Sequence, residues 1–532
     1  MLTRRNQIIV IVLALAVLVL GGLESWRDSP TFDEPVYVSS ALAALDHGDL
    51  SVNDEHPPFA KLIAALPVLA VSPAAIPGAP GQGQEHEYAA AFVRAQLAAG
   101  SLRRVTFASR IVPLLVTVAI AFVLLAFGDE LLGAPAGLLA ACLWLCCPLV
   151  LGLGHLDGVD MPFTLGVVCL SWTLLRWMRR PGRRRLAVVA LAAGACVLLN
   201  ADGLLLLALA IAVVVAARWR VVGPRRALLR GALLLLAALI VIWIPYLAIN
   251  PSAVGIGVLP SPYLDGIGYL ARNDTGEAAS YLLGTSWRGW SWWYWPGSML
   301  VKLPPATVLV LLATPLGWIG LPRALRREGA IVLAAPAALL CVLDFAMTRE
   351  VGVRYVLPVL ALALVAAAAL VRRPERLVRP ALALAVVLGA LTVALSFPGS
   401  LAWTDPLFGR PYEVATNSSV DWGQGLYALR AWADRHPGAH VDYFGPRGIG
   451  AAQIGPVRAL DPSDPGSVTG WVAVSATELT TEPGLAWLRA YCPVGVLAQT
   501  ILVYRFDTPP GAMPGPSRPA PLCRGPISHR VE

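Results

Sequence analysis

The chain has 532 residues, of which 57% are hydrophobic and only 14% charged. Soluble domains carry about 25% charge, so this composition excludes a simple soluble enzyme and a disordered chain. The formal net charge of +8 does not point to nucleic acid, because in so apolar a chain excess arginine marks the cytoplasmic side of a membrane. The basic residues are almost all arginine, and the two lysines are Lys61 and Lys302.

Arg4-Arg5 precede an apolar run that begins at Ile8. Gly21 to Ser25 lacks the small-residue pattern of a cleaved signal, so this run is expected to stay as a first span. Windows of sufficient apolar length follow, and the full set is 7–23, 105–127, 133–153, 160–178, 186–200, 203–217, 231–249, 303–320, 330–347, 355–371 and 380–397. That predicts about eleven transmembrane helices. The arginine clusters at 179–185, 218–230, 323–327 and 372–379 fall with Arg4-Arg5 on one side, which places the N-terminus in the cytoplasm. The 186–217 stretch must then cross twice.

Three segments fall on the opposite, outer side: a first loop over 24–104, a Trp- and Tyr-rich loop over 250–302, and the tail from 398. The tail is polar enough to fold alone. An amphipathic helix is predicted over 422–435, with strands over 439–444, 470–475 and 498–506. The Pro-rich end, 508–532, is expected to be disordered. The expected architecture is a membrane all-α bundle over 1–397 and an extracytoplasmic α/β domain over 398–532. Cys142, Cys146, Cys147, Cys169, Cys196 and Cys341 lie in apolar runs, whereas Cys492 and Cys523 lie in the polar tail and are able to pair in an oxidising compartment.

The first loop carries the clearest chemistry. Thr31-Phe32-Asp33-Glu34-Pro35 follows the first span directly, and Asn53-Asp54-Glu55-His56-Pro57-Pro58-Phe59-Ala60-Lys61 comes about twenty residues later. A carboxylate at the membrane surface suits a general base acting on a hydroxyl, and His and Lys suit a lipid phosphate. The alternative is that Asp33 and Glu34 cap a helix and Pro57-Pro58 starts one.

Phe-Asp-Glu followed by His-Pro-Pro-x-x-Lys resembles the first lumenal loop of protein O-mannosyltransferases. More broadly it is similar to bacterial glycosyltransferases of GT-C fold, including the lipid A aminoarabinose transferases. The resemblance covers roughly residues 20–400. It implies transfer of a sugar from a polyprenyl-phosphate carrier to an acceptor hydroxyl. It also implies Asp33 as general base, Glu34 as a neighbour shaping the acceptor site, and His56 and Lys61 near the lipid phosphate.

Other segments fit the same resemblance. His155-Leu156-Asp157-Gly158-Val159-Asp160-Met161-Pro162 matches a family pattern in which the position of His155 is usually Arg. His155 would then bind phosphate, Asp157 would be an extra carboxylate, and Asp160 would either face the site or cap a helix. Asn200-Ala201-Asp202 stands where the family often carries Lys. Trp287 to Trp295 holds five tryptophans, among them Trp292, suited to stack on sugar or to form an interfacial belt. Lys302 follows at the membrane edge, either at the phosphate or snorkelling. Gly352-Val353-Arg354-Tyr355-Val356-Leu357-Pro358 resembles a bacterial helix entry. Arg354, a cation on the outer side, calls for an anion: the lipid phosphate or Glu350. Asn417 to Gln424 resembles a segment of bacterial relatives, and the tail is expected to cover the site or dock the acceptor.

The expected function is therefore an inverting glycosyltransferase in the cell membrane. Its partners would be the bilayer, a polyprenyl-phosphate sugar (mannose by default) and a protein or glycolipid acceptor, with no nucleic acid, metal or cofactor. A transporter or flippase of a lipid-linked sugar is the main alternative, and a catalytically inactive lipid-binding partner is another.

Overall fold

The structure is a computed structural model and describes residues 4–76, 84–273 and 278–510. Among these, eight helices are long and apolar enough to cross a membrane: Asn6–Arg27, Leu102–Leu132, Asp160–Arg179, Gly203–Val222, Pro224–Ile249, Arg323–Ala346, Val353–Arg372 and Val378–Ser396. A ninth candidate is the pair Ala134–Leu145 and Pro148–Gly154, bent by 63°. Pro148 lacks an N–H and cannot continue the preceding helix, so the chain turns at Cys146-Cys147. Two further expected windows are helical but short. Arg183–Leu199 has 17 residues, and 303–320 is divided into Pro305–Leu312 and Thr314–Trp318, with Pro315 at the break. The eleven expected helices thus become eight or nine spans by length.

The helices pack closely where side chains are small. A Cβ on Gly137 would lie 2.1 Å from the Leu125 carbonyl, so only glycine lets Ala134–Leu145 approach Leu102–Leu132 this closely. Three long segments gather at one end of the bundle, here termed the loop end. The first holds helices Glu34–His47, Pro58–Leu69 and Glu85–Ala98. The second holds Ser261–Asn273, the hairpin Ala279–Leu282 with Thr285–Arg288, and Tyr294–Lys302. The third is the tail.

The tail contains a five-stranded sheet in the order Arg458–Ala459, His440–Asp442, Gly470–Ser475, Ile501–Phe506, Gly495–Leu497. The first two pairings are parallel and the last two antiparallel. Side chains alternate between faces as a strand requires: Val472 and Val474 enter one core, Ala473 the other. The expected helix is shorter than predicted, Leu426–Ala433. The stretch before it joins both parts. Leu401, Ala402, Val414, Ala415, Val420 and Trp422 enter the core of the helical bundle, whereas Tyr412 enters a core of the sheet and Asp421 accepts from Thr477 N. Cys492 is disulfide-bonded, while its suggested partner Cys523 and most of the 508–532 tail end lie outside the described residues.

Candidate active site

Asp33 sits immediately before helix Glu34–His47, yet its side chain makes no capping hydrogen bond. It turns instead to Arg354, whose Nη1 donates to Asp33 Oδ2 at 2.8 Å. Tyr37, one turn along the helix, reaches the same oxygen at 3.4 Å. The sequence suggested lipid phosphate or Glu350 as the anion for Arg354; the protein carboxylate that it meets is Asp33 and not Glu350. The Glu350 carboxylate accepts from the Trp287 indole at 2.8 Å and from Ser291 N at 2.7 Å, which ties down the aromatic segment.

The guanidinium of Arg354 is held in a frame. Its carbon lies 4.6 Å from the Trp422 ring centre and 5.0 Å from that of Tyr355. Nη2 donates to the Tyr355 hydroxyl at 3.1 Å, and Nε is buried with no hydrogen-bond partner in the structure. The backbone that carries Arg354 is fixed from the tail. Ser418 N and Oγ donate to Val351 O at 3.2 and 2.9 Å, and Val353 N donates to Ser419 Oγ at 3.1 Å. A Cβ on Gly352 would meet Ser418 Oγ at 1.7 Å. The glycine of the Gly-x-Arg-Tyr pattern is thus required by contact with Asn417-Ser418-Ser419.

Around this pair lie Glu55, His56, Asp160 and Arg349. Arg349 Nη1 is 3.2 Å from Glu55 Oε1, and the His56 ring packs edge-on against Tyr37 at 5.7 Å. Asp160 opens its helix without capping it and is within electrostatic reach of Arg354, His56 and Asp33. Burial pushes the His56 imidazole below its ordinary value against the pull of Glu55. The ring therefore stays neutral at pH 7 and offers a hydrogen bond, not a charge. Beside the Pro57-Pro58 helix and Pro162 lies an apolar cavity of about 240 Å³, lined by Phe59, Ile63, Val116 and Leu165 among others.

Residues 96–244 match the family described as dolichyl-phosphate-mannose-protein mannosyltransferase. The crystal structure of ArnT from Cupriavidus metallidurans in the apo state superposes at a TM-score of 0.52 and 14% identity, covering 93% of this chain and 97% of that one. The same protein bound to undecaprenyl phosphate gives 0.50, again at 14% identity and the same coverage. The chain has the GT-C fold. No curated protein matches it by sequence.

Within this GT-C bundle, several residues expected at the site are committed elsewhere. Glu34 is buried and held by groups of the protein itself. It forms a two-pronged pair with Arg110 (Nε–Oε1 2.7 Å, Nη2–Oε2 2.6 Å) and accepts from Thr31 N and Asp157 N at 2.7 and 2.8 Å. Burial opposes its ionisation, but the charge and hydrogen bonds of Arg110 outweigh this and hold the carboxyl below the ordinary range. Asp157 lies beside it, also buried, and desolvation plus the Glu34 charge push it well up. His155 is enclosed, with Nδ1 on the Leu151 carbonyl at 2.9 Å and Nε2 on Asp28 Oδ2 at 3.2 Å. Glu24 is 3.5 Å away, so both ring nitrogens of His155 face groups of the protein itself.

Both lysines are likewise occupied. Lys61 Nζ donates to Asn53 O, Asn53 Oδ1 and His56 O at 2.7–2.8 Å, which clamps the turn bearing His56. Burial pushes it down to about 8. Lys302 Nζ donates to the carbonyls of Leu401 and Trp403, so it anchors the start of the tail, and burial pushes it down to about 7. Trp292 is 68% exposed, as an interfacial ring would be. The sequence did not single out Tyr37, Glu55, Arg349, Tyr355 or Trp422 as site residues. All five stand inside or beside the quoted segments, but only the fold brings Trp422 to the other four. Among the described residues, no group of three or more His, Cys, Asp or Glu is placed to hold a metal ion.

Proposed function

We propose that the protein transfers a sugar from a polyprenyl-phosphate carrier to an acceptor hydroxyl at the loop end of the bundle. The observation that carries this reading is the contact between Asp33 and Arg354 at 2.8 Å. A carboxylate suited to a general base and a cation suited to a phosphate meet here although they stand 321 residues apart in sequence. In the resting state Arg354 neutralises Asp33. A donor phosphate, richer in charge and in acceptor oxygens, takes over the guanidinium together with Arg349 and leaves Asp33 free.

The acceptor oxygen then attacks the anomeric carbon, and its proton passes to Asp33. The bond from that carbon to the phosphate oxygen breaks with inversion, and the electron pair leaves on polyprenyl phosphate. Arginine stabilises the departing charge in a partly buried site where such contacts are strong. The carrier is a substrate, and no further cofactor enters. Mannose is the first sugar to test, because the matched family is described by it, with a protein or a glycolipid as acceptor. In this reading the N-terminus lies in the cytoplasm and the loop end with the tail outside the cell membrane, which the one-sided arginines support. A phosphatase reporter fused after Asp507 should accordingly be active.

The decisive experiment supplies purified protein with radiolabelled polyprenyl-phosphate mannose. Release or transfer of the label is the expected result. An intact donor that nevertheless crosses liposomes would establish a transporter instead, and an intact donor that is only bound would establish a scaffold.

A further inference from the structure

A second cleft lies behind the candidate site. Its volume is about 930 Å³, and neither Asp33 nor Arg354 lines it. The separating wall is a pair of backbone segments. Ser29 N donates to Gln424 O at 3.1 Å and Phe32 N to Trp422 O at 2.9 Å, while Ser29 Oγ bridges Gly423 O and Leu426 N at 2.9 Å each. Asp33 and the Trp422 ring belong to one side; Asp28, Gln424 and Gly425 line the other.

The cleft is strongly basic. Arg27, Arg103, Arg410 and Arg435 line it, against the single carboxylate of Asp28, which His155 already engages. Arg27 ends the first span and Arg103 lies at the start of Leu102–Leu132. Pro398 and Gly399, just past Val378–Ser396, continue the floor. The floor thus sits where three candidate spans end, and the roof is the face of Leu426–Ala433 and its surroundings. Arg103 is held over the Tyr427 ring at 4.3 Å and near Trp26 at 5.8 Å. Trp26 is partly exposed at this level, as rings at a membrane interface are.

We infer that this cleft seats the phosphate headgroup of an anionic membrane lipid, gripped by Arg27, Arg103 and Arg435 between the bundle and the tail domain. Arginine forks match phosphate oxygens, and the apolar remainder of the lining receives the glycerol and the first acyl carbons. A free phosphate ion would leave most of this volume, and all of its apolar part, unfilled. The assignment does not depend on the transferase reading, since the wall keeps the lipid from Asp33.

Full-length protein in nanodiscs of phosphatidylglycerol or phosphatidylcholine, released for native mass spectrometry, provides the test. Wild type should retain phosphatidylglycerol and not phosphatidylcholine. The triple variant Arg27→Gln, Arg103→Gln, Arg435→Gln should lose that retention by about tenfold or more, as expected for lost charge-assisted contacts. Arg225→Gln with Arg226→Gln, at the opposite end, should retain it. Should the triple variant not fold, Arg435→Glu, a single exposed position, should give the same loss. Equal retention by wild type and the cleft variant would overturn the assignment, as would equal loss in the opposite-end variant. So would thermal stabilisation by inorganic phosphate as large as that by the lipid. A dimer that only the cleft variant loses, with no lipid retained, would give the cleft to a second copy and likewise overturn it.

Discussion

Asp33 and Glu34 are adjacent in sequence and have opposite surroundings. Asp33 is 21% exposed and makes one strong contact, to an arginine that keeps a buried Nε unpartnered. Glu34 is 2% exposed and accepts four hydrogen bonds, two of them from a fully buried arginine. The first arrangement has bonding capacity left for a substrate, while the second has spent it on the fold. The two adjacent carboxylates therefore differ in kind: Asp33 keeps room for a further partner, and Glu34 fixes the loop that leads to it. Arg110 makes this concrete, since its Nη1 and Nη2 also take the carbonyls of Ser25, Asp28 and Ser29. It locks the segment that leads into Asp33.

The comparison is broken most sharply at Asp33. Asp33→Asn should lower kcat by about 10²–10⁴-fold, the range for a lost general base, with little change in melting temperature. A variant that kept a third of wild-type turnover would move the base to Asp160. Glu34→Gln should show the reverse. It strands the buried Arg110 without a counter-charge, a loss of roughly 3–5 kcal/mol of stability, visible as low yield or a much lower melting temperature. Normal folding with reduced turnover would place Glu34 in the chemistry after all.

Arg354→Gln should raise the donor KM by about ten- to a hundredfold, corresponding to roughly 1.5–3 kcal/mol for a charged hydrogen bond. Its acceptor KM should move far less. The smallest effect is one of pH. The Glu34 carboxyl is held below its unfolded value of about 4.3. Its contribution to stability is therefore complete above that value and is lost as pH falls through the folded one. Melting temperature followed from pH 6 down to 3 should fall less steeply in Glu34→Gln than in wild type over that interval.

The sequence displayed much of this molecule and concealed an equally definite part. Apolar length gave the spans, although Pro148 and Pro315 divided two of the expected helices. Alternation over 470–475 and 498–506 gave the central strands. Phe-Asp-Glu and Gly-x-Arg-Tyr each marked a residue of the Asp33–Arg354 contact, but no local spacing joins them. Arg110 was invisible because it lies within a long apolar helix, and its reason for being there is a loop residue 76 positions earlier. His155 resembled a phosphate ligand because Glu24 and Asp28, which surround it, come from the end of a different helix. Lys61 and Lys302 stood out by rarity, yet rarity reported burial and anchoring just as well as contact with a ligand.

The backbone pairing of Ser29 to Phe32 with Trp422 to Leu426 has a consequence for how the chain matures. The hydrogen bond from Ser29 to Gly423 spans 394 residues, so the loop bearing Asp33 is made early and waits for a segment that follows every span. Contacts so distant along the chain form late. Until residues 417–426 arrive, Arg354 lacks the Trp422 ring and the Ser418 and Ser419 contacts that hold its backbone. A nascent chain stopped before residue 417 can thus insert all its spans and still lack the frame that holds Arg354 against Asp33.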